Sequence, residues 1–162
     1  MTTTENAGGT TVNLLSDTEL ELVRVFDAPR RLVWQAFTSP EHIQQWMLGP
    51  EGWTMPVCEM DLRPGGAWHY VWRRGNDTDM EMHGEYLEIQ PVERLVQTER
   101  WGGDWAETVN TLLLDEHDGR TTMRHQMRFP TREARDRAMQ TGMNDGADRS
   151  YDLLAELLRT MS

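Results

Sequence analysis

The chain has 162 residues, 38% of them hydrophobic and 27% charged, which is the size and composition of one globular domain with a single core. A net charge of −11 disfavours binding to nucleic acids or anionic membranes, and the absence of lysine favours a bacterial source with a GC-rich genome. There is no apolar run of transmembrane length and no secretory signal, and Cys58 is the single cysteine, so a cytoplasmic protein without an intramolecular disulfide is expected.

A tail and one strand are predicted at the start of the chain. Residues 1–17 are rich in Thr, Gly and Asn and have little apolar periodicity, which predicts a flexible N-terminal tail. Residues 18–26 alternate, with Leu20 and Leu22 on one face, which predicts a strand. The folded domain is therefore expected to span residues 18–162.

Two short helices are predicted next. Asp27, two residues before Pro29, is typical of an N-cap followed by a first turn that tolerates proline. Ser39 and Pro40 repeat this start signal. The second helix is expected to stop near residues 48–50, where glycine and proline follow leucine.

Strands and tight turns dominate the middle of the chain. Six alternating segments are separated by turns rich in glycine, proline, asparagine and aspartate, and such short connections make neighbouring strands antiparallel. The predicted strands are Pro56–Leu62, Ala67–Arg73, Met80–Ile89, Arg94–Trp101, Glu107–Asp115 and Thr121–Phe129.

Residues 131–161 carry a long helical pattern, with apolar residues recurring every three or four positions. Gly142 and Gly146 lie one turn apart within it, and each costs about 1 kcal/mol relative to alanine in a helix. Two interpretations remain open: the helix approaches the sheet closely at these glycines, or the glycines leave room for a ligand.

These elements predict an α+β protein in which a curved seven-stranded antiparallel sheet surrounds the long C-terminal helix. The two short helices after the first strand would close one end of the sheet. Such a sheet leaves an internal space against the helix, and this space is the expected functional site.

Five segments carry a family resemblance when they are taken as a set. They are residues 26–38 (FDAPRRLVWQAFT), 40–46 (PEHIQQW), 61–68 (DLRPGGAW), 83–89 (HGEYLEI) and 91–96 (PVERLV). In this respect the chain resembles, over roughly residues 18–160, the bacterial proteins similar to the C-terminal domain of the activator of the heat-shock-protein-90 ATPase, in the START-like superfamily. The resemblance implies the helix-grip fold, a hydrophobic cavity and a small-molecule ligand, but no single function.

Large apolar side chains are unusually frequent, with seven tryptophans and eleven methionines. Trp68, Tyr70 and Trp72 share one strand face because side chains alternate with a period of two. These large residues either form ordinary core packing or line the cavity for a flat apolar or aromatic ligand. The candidates for the cavity lining are Trp68, Tyr70, Trp72, His125, Met127, Met139 and Met143.

Three polar residues fall on strand faces that are predicted to point inward. His125 shares its face with Met127, His83 shares one with Leu87, and Glu99 lies in phase with a leucine. They are weak catalytic candidates for general acid–base chemistry. The alternatives are a core histidine satisfied by hydrogen bonds, or a strand whose parity is broken by a bulge.

No metal or cofactor is predicted, because the histidines show no i,i+4 pairing and no cysteine clusters with them. Three functions remain open. The chain is a binding protein for a small hydrophobic or aromatic molecule, a cyclase-, aromatase- or hydrolase-like enzyme acting on an aromatic or polyketide-type substrate, or a chaperone-interacting stress protein. A monomer or homodimer without nucleic-acid or membrane partners is expected.

Overall fold

Nine strands form one open antiparallel sheet in this computed structural model, which describes residues 3–5, 9–76 and 78–161. The strands are β1 Thr3–Glu5, β2 Thr11–Leu14, β3 Glu19–Phe26, β4 Trp53–Met60, β5 Ala67–Arg74, β6 Thr78–Gln90, β7 Arg94–Trp101, β8 Thr108–His117 and β9 Arg120–Arg128. Their order across the sheet is β1-β2-β3-β9-β8-β7-β6-β5-β4, so β3 and β4 lie far apart although they are consecutive in the chain.

The seven predicted strands correspond to β3–β9, and each overlaps its predicted segment. Two further strands come from the segment that was predicted as a tail. Val12 of β2 pairs with Leu22 of β3 and is buried, so residues 11–14 belong to the sheet. Thr11 and Val12 are β-branched and suit a pleated, half-buried surface, although the segment is too polar to show apolar periodicity. Residues 1, 2 and 6–8 of the predicted tail lie outside the described residues.

Four helices occur in the described part of the chain: α1 Arg30–Thr38, α2 Pro40–Trp46, α3 Arg132–Met139 and α4 Met143–Leu158. The start of α2 is as predicted, with Ser39 at the N-cap and Pro40 in the first turn. Asp27 is not the N-cap of α1, because Pro29 keeps an extended conformation with ψ of 151° and the helix begins only after it. None of these helices has the length and apolar content needed to cross a bilayer.

The single helix predicted over residues 131–161 is interrupted. α3 ends at Met139 and α4 begins at Met143, because Gly142 adopts the left-handed conformation with φ of 82°. Gly142 therefore does not lie within a helix, whereas Gly146 does. A Cβ atom added at the buried Gly146 would lie 3.4 Å from Cδ of Pro50, so this glycine faces the loop after α2 at ordinary contact distance, and neither the sheet nor an open space for a ligand.

α4 is the helix that packs on the concave side of the sheet. Tyr151, Leu154 and Leu158 are its large buried side chains. The guanidinium of Arg24 in β3 lies 2.6 Å from the carboxylate of Asp152, which ties the outer side of the helix to the sheet. This arrangement is the α+β helix-grip fold that the sequence predicts.

Local irregularities help the sheet to curve around α4. The register between β6 and β7 shifts between Tyr86 and Glu88, and that between β4 and β5 shifts near Thr54. On β6, a Cβ atom at Gly84 would collide with the carbonyl oxygen of Thr98 in β7. Bulges and strand glycines of this kind increase the local twist and allow backbones to approach closely.

The two C-terminal glycines are expected to respond to alanine in opposite directions. Gly142→Ala should lower the free energy of unfolding by about 1–2 kcal/mol, because an L side chain is strained at positive φ. Gly146→Ala should raise it by up to about 1 kcal/mol, because alanine favours the helix and the new methyl group makes ordinary contact with Pro50. Urea unfolding measures both. A loss of stability in Gly146→Ala would show instead that α4 requires glycine against Pro50.

Candidate functional site

A small cavity of about 50 Å³ lies between the sheet and the helices. α1 and the C-cap of α2 supply Phe37 and Met47, and strands β5–β9 supply the other walls. The lining residues are Phe37, Met47, Tyr70, Met82, Leu95, Gln97, Glu99, Asn110, Leu112 and His125.

Strand alternation explains the composition of this wall. Odd-numbered residues of β7 and even-numbered residues of β8 face inward, so Gln97 and Glu99 follow Leu95, and Asn110 precedes Leu112. The cavity therefore combines apolar walls with four polar side chains. None of the ten lining residues is an arginine.

His125 is hydrogen-bonded at both ring nitrogens. Its Nδ1 lies 3.2 Å from the hydroxyl of Tyr151 in α4, and its Nε2 lies 3.0 Å from Oδ1 of Asn110 in β8. The amide nitrogen of Asn110 donates to the Thr108 hydroxyl at 2.7 Å, which leaves the amide oxygen as an acceptor. Nε2 of His125 therefore carries the hydrogen, and Nδ1 accepts from the Tyr151 hydroxyl.

Burial keeps this pair uncharged. Desolvation lowers the pKa of His125 from 6.5 to about 4 and raises the pKa of the Tyr151 hydroxyl above its usual range. Both groups are neutral near pH 7. His125 is thus a histidine satisfied by its neighbours, which is one of the alternatives that the sequence left open, and neither ring nitrogen is free for a ligand.

Glu99 has fewer partners than His125. Its carboxylate accepts one hydrogen bond, from the side-chain amide of Gln97 at 3.3 Å. The adjacent Arg100 pairs with Glu107 instead, at 3.8 Å. Burial raises the pKa of Glu99 to about 7, and the bond from Gln97 offsets only part of that shift. Glu99 therefore exchanges its proton near neutral pH and keeps unused hydrogen-bonding capacity at the cavity.

Three of the candidates from the sequence, Tyr70, His125 and Glu99, meet at this cavity. Burial also holds the pKa of the Tyr70 hydroxyl well above its usual range, so the group stays protonated. The other candidates belong to or pack against the core outside this lining, namely Trp68, Trp72, Met127, Met139 and Met143.

His83 lies on the exposed face of β6, outside the cavity. The parity argument tied it to Leu87, which is itself 46% exposed, whereas the inward residues of β6 are Met82 and Tyr86. The register shift after Tyr86 changes the inward–outward alternation before Ile89. The direction in which Ile89 points therefore does not predict the direction of His83, earlier in the same strand.

Gln97 and Asn110 are cavity residues that the sequence pattern did not single out. They lie in phase with the buried Leu95 and Leu112, so the parity that placed Glu99 inward also identifies them. Residues contributed by α1 and α2 have no such signal, because their position depends on how these helices fold across the sheet.

The chemistry available at the cavity is hydrogen bonding and proton exchange at Glu99. The single cysteine, Cys58, does not line it, and burial raises the pKa of the thiol to about 11, which disfavours the nucleophilic thiolate. Within residues 3–5, 9–76 and 78–161, no three His, Cys, Asp or Glu side chains are placed to hold a metal ion.

The bond between His125 and Tyr151 should be measurable as a coupling energy. His125→Phe is expected to lower the free energy of unfolding by roughly 1–3 kcal/mol, because it leaves the Tyr151 hydroxyl buried without its acceptor. In the double variant with Tyr151→Phe, that unpaired hydroxyl is gone, so the double loss should be smaller than the sum of the single losses. Urea unfolding of the four proteins tests this, and strict additivity would contradict the bond.

The raised pKa of Glu99 predicts a specific pH dependence. Between about pH 4.5 and 7 the folded chain keeps a proton on Glu99 that the unfolded chain has released, so rising pH destabilises the fold through this group. Glu99→Gln removes the effect, and its stability relative to the parent should rise by about 2–3 kcal/mol across this window.

The comparison with the parent is essential, because His125 acts in the opposite direction. Its lowered pKa means that stability is lost as pH falls from 6.5 towards 4. This contribution is common to both proteins and cancels in the difference. A difference that stays constant from pH 4.5 to 7 would contradict the raised pKa of Glu99.

Solved structures share this architecture. A protein from Rhodobacter sphaeroides is 27% identical with a TM-score of 0.87, and the match covers 94% of this chain and 99% of that one. A protein from Chromobacterium violaceum is 28% identical with a TM-score of 0.74, covering 86% and 96%. A third, from Nitrosomonas europaea, is 25% identical with a TM-score of 0.81, covering 91% and 97%. No curated protein sequence matches the chain significantly.

The family comparison agrees with the segments singled out in the sequence. The family described as activator of Hsp90 ATPase homolog 1-like protein matches residues 27–159, which include both short helices, β4–β9 and nearly all of the C-terminal region. The resemblance drawn from the sequence is confirmed: the chain belongs to the family of activator of Hsp90 ATPase homolog 1-like proteins, within the START-like superfamily.

Proposed function

We propose that this protein binds a small, partly apolar molecule in the cavity between the sheet and the helices, without chemical turnover. The observation that carries the proposal is the carboxyl group of Glu99, which lines the cavity and has one hydrogen-bond partner, the Gln97 amide at 3.3 Å. Glu99 is half-buried and keeps hydrogen-bonding capacity beyond its bond from Gln97, which a ligand that carries a hydrogen-bond donor would use.

The size of the cavity limits the ligand. Its 50 Å³ is about a third of the roughly 150 Å³ that accommodates a benzene ring. The flat aromatic ligand expected from the tryptophans therefore requires a wider cavity, and a molecule of a few carbon atoms fits better. Met47 and Met82 supply adaptable walls, because unbranched thioether side chains change rotamer with little strain.

Binding is favoured over catalysis because of the partners of the polar residues. Both nitrogens of His125 are already bonded, so the histidine would have to leave Tyr151 or Asn110 to act as a base. Glu99 would then act alone, without a nucleophile among the lining residues. The net charge of −11 disfavours binding to nucleic acids and anionic membranes. We also propose a cytoplasmic location.

A chaperone-interacting role has less support. The exposed large apolar side chains of the described residues do not gather in one region. Leu15 and Val25 lie near β2 and β3, at one end of the sheet, whereas Leu62, Met80 and Leu87 lie on or beside β4–β6, at the other end. A docking surface for a protein partner would require a contiguous apolar patch.

The binding proposal predicts where ligands perturb the protein. In a screen of small organic molecules against protein labelled with ¹³C at its methionine methyl groups, compounds that bind should shift the signals of Met47 and Met82. The signal of Met80, which is 40% exposed on β6, is the internal control and should stay in place.

A variant that fills the cavity tests the location. Leu112→Phe adds volume to the wall and is expected to weaken binding at least about tenfold, whereas Leu113→Phe, on the opposite face of β8, should leave it unchanged. If no compound in the screen shifts Met47 or Met82, the proposal is wrong. If any bound compound is converted to a product, the protein is an enzyme and the binding proposal is wrong.

A further inference from the structure

The charges around the cavity discriminate between ligand classes. Glu99 is the acidic member of the lining, no lining residue is an arginine, and the chain contains no lysine. An anion would lose its hydration shell without gaining a cation, so carboxylate and phosphate ligands are disfavoured. A neutral molecule and a cation remain as the classes that the cavity can accept.

We propose that the ligand is a small organic cation, a protonated alkylamine whose ammonium group binds the Glu99 carboxylate inside the cavity. This inference rests on the proposed function and specifies its ligand class. The ammonium would donate a charge-assisted hydrogen bond to Glu99, and the alkyl part would occupy the space bounded by Met47, Met82, Leu95 and Leu112.

Among the described residues, no cationic side chain pairs with Glu99. On its own strand, Gln97 contributes a neutral amide, and Thr108 lies opposite on β8. From β5 and α4, the groups that interact with Glu99 are the protonated hydroxyls of Tyr70 and Tyr151.

The basic groups that interact with Tyr151 already have partners. Arg24, whose charge acts on Tyr151, pairs with Asp148 and Asp152 at 3.5 and 2.6 Å. His125 on β9 is uncharged, with both nitrogens hydrogen-bonded. The position of a counter-ion beside Glu99 is therefore left to a ligand.

Two aromatic rings among the walls favour a cation further. Phe37 and Tyr70 line the same cavity as Glu99, and an alkylammonium group is attracted to the face of an aromatic ring within about 6 Å. A net charge of −11 also raises the local concentration of cations around the protein and speeds their association. Neither effect would help a neutral molecule.

The test compares three compounds that share a branched isopropyl group: isopropylammonium, propan-2-ol and isobutyrate. Each is titrated at pH 8 into protein labelled at its methionine methyl groups, with Met47 and Met82 as reporters. Isopropylammonium is expected to bind at least about tenfold more tightly than propan-2-ol, and isobutyrate is expected to show no binding.

Two further measurements assign the preference to Glu99. The affinity of the protein for isopropylammonium should rise as pH increases from 5 to 8. The amine stays protonated over this range, while the Glu99 carboxyl, with a pKa of about 7, loses its proton. Glu99→Gln should lower the affinity for isopropylammonium roughly tenfold to a hundredfold at pH 8 and change the affinity for propan-2-ol little. Glu107→Gln, an exposed change of the same charge, is the control and should have no effect.

The outcomes separate this inference from the proposed function. If propan-2-ol or isobutyrate binds as tightly as isopropylammonium, or if the ammonium affinity does not change with pH, the cation proposal is wrong while binding in the cavity stands. If none of the three shifts Met47 or Met82, while larger neutral compounds do, the cation proposal again fails alone. If no compound of any class shifts them, both proposals fail. The comparison of ligands on the parent protein does not depend on whether Glu99→Gln folds.

Discussion

The fold around the cavity depends on one side chain, Tyr151 of α4. Its ring packs against Phe26 of β3 and Trp46 of α2, with centroids 6.2 Å away in each case, and its hydroxyl lies 3.2 Å from His125 of β9. Because the apolar ring and the polar hydroxyl have different partners, this contact sets both the depth and the rotation of α4 on the sheet. A purely apolar residue would set the depth alone. The same contact occupies Nδ1 of His125, so the geometry that anchors the helix also removes the histidine from ligand chemistry.

Two titratable groups in one cavity respond to burial in ways that separate a structural role from a functional one. Desolvation disfavours the charged form of both, which keeps His125 neutral and raises the pKa of Glu99 to about 7. The neutral histidine recovers its desolvation cost through two hydrogen bonds, whereas Glu99 has a single bond to Gln97. An apolar residue at position 99 would avoid this cost. A perturbed pKa together with unused hydrogen-bonding capacity at a cavity is a pattern that marks candidate binding and catalytic groups, and this is the ground of the binding proposal.

Most of the architecture follows from alternation and turn chemistry, which is why β3–β9 all overlap their predicted segments. The predictions that were wrong failed for local reasons. The helical spacing of Gly142 predicts a position inside one long helix, whereas its positive φ separates α3 from α4. β2 is too polar to show apolar periodicity and is fixed by pairing with β3. At the site, parity placed His125 and Glu99 at the cavity but failed for His83, because the register shift on β6 has no sequence signal. The hydrogen-bond partners of the inward polar residues come from segments that are distant in the sequence, such as β9 and α4. The pattern of a single segment therefore cannot predict which of these residues already has its partners.

The polar side chains that line the cavity lie outside the segments that carry the family resemblance, whereas the apolar lining residues Phe37 and Leu95 lie within them. These segments form α1, α2, the turn before β5, the second half of β6, and the turn and first residues of β7. Half of the ten lining residues come from inward positions of β7 and β8, where Gln97, Glu99 and Asn110 follow the same alternation as Leu95 and Leu112. Relatives at 25–28% identity retain the fold, with TM-scores of 0.74–0.87. Since strand pairing constrains the backbone and the apolar phase but leaves a few inward side chains free to vary, the same fold can present cavities of different charge. If the protein binds a ligand as proposed, its selectivity depends on these inward polar positions and above all on Glu99, whose carboxyl group has one hydrogen-bond partner among the described residues.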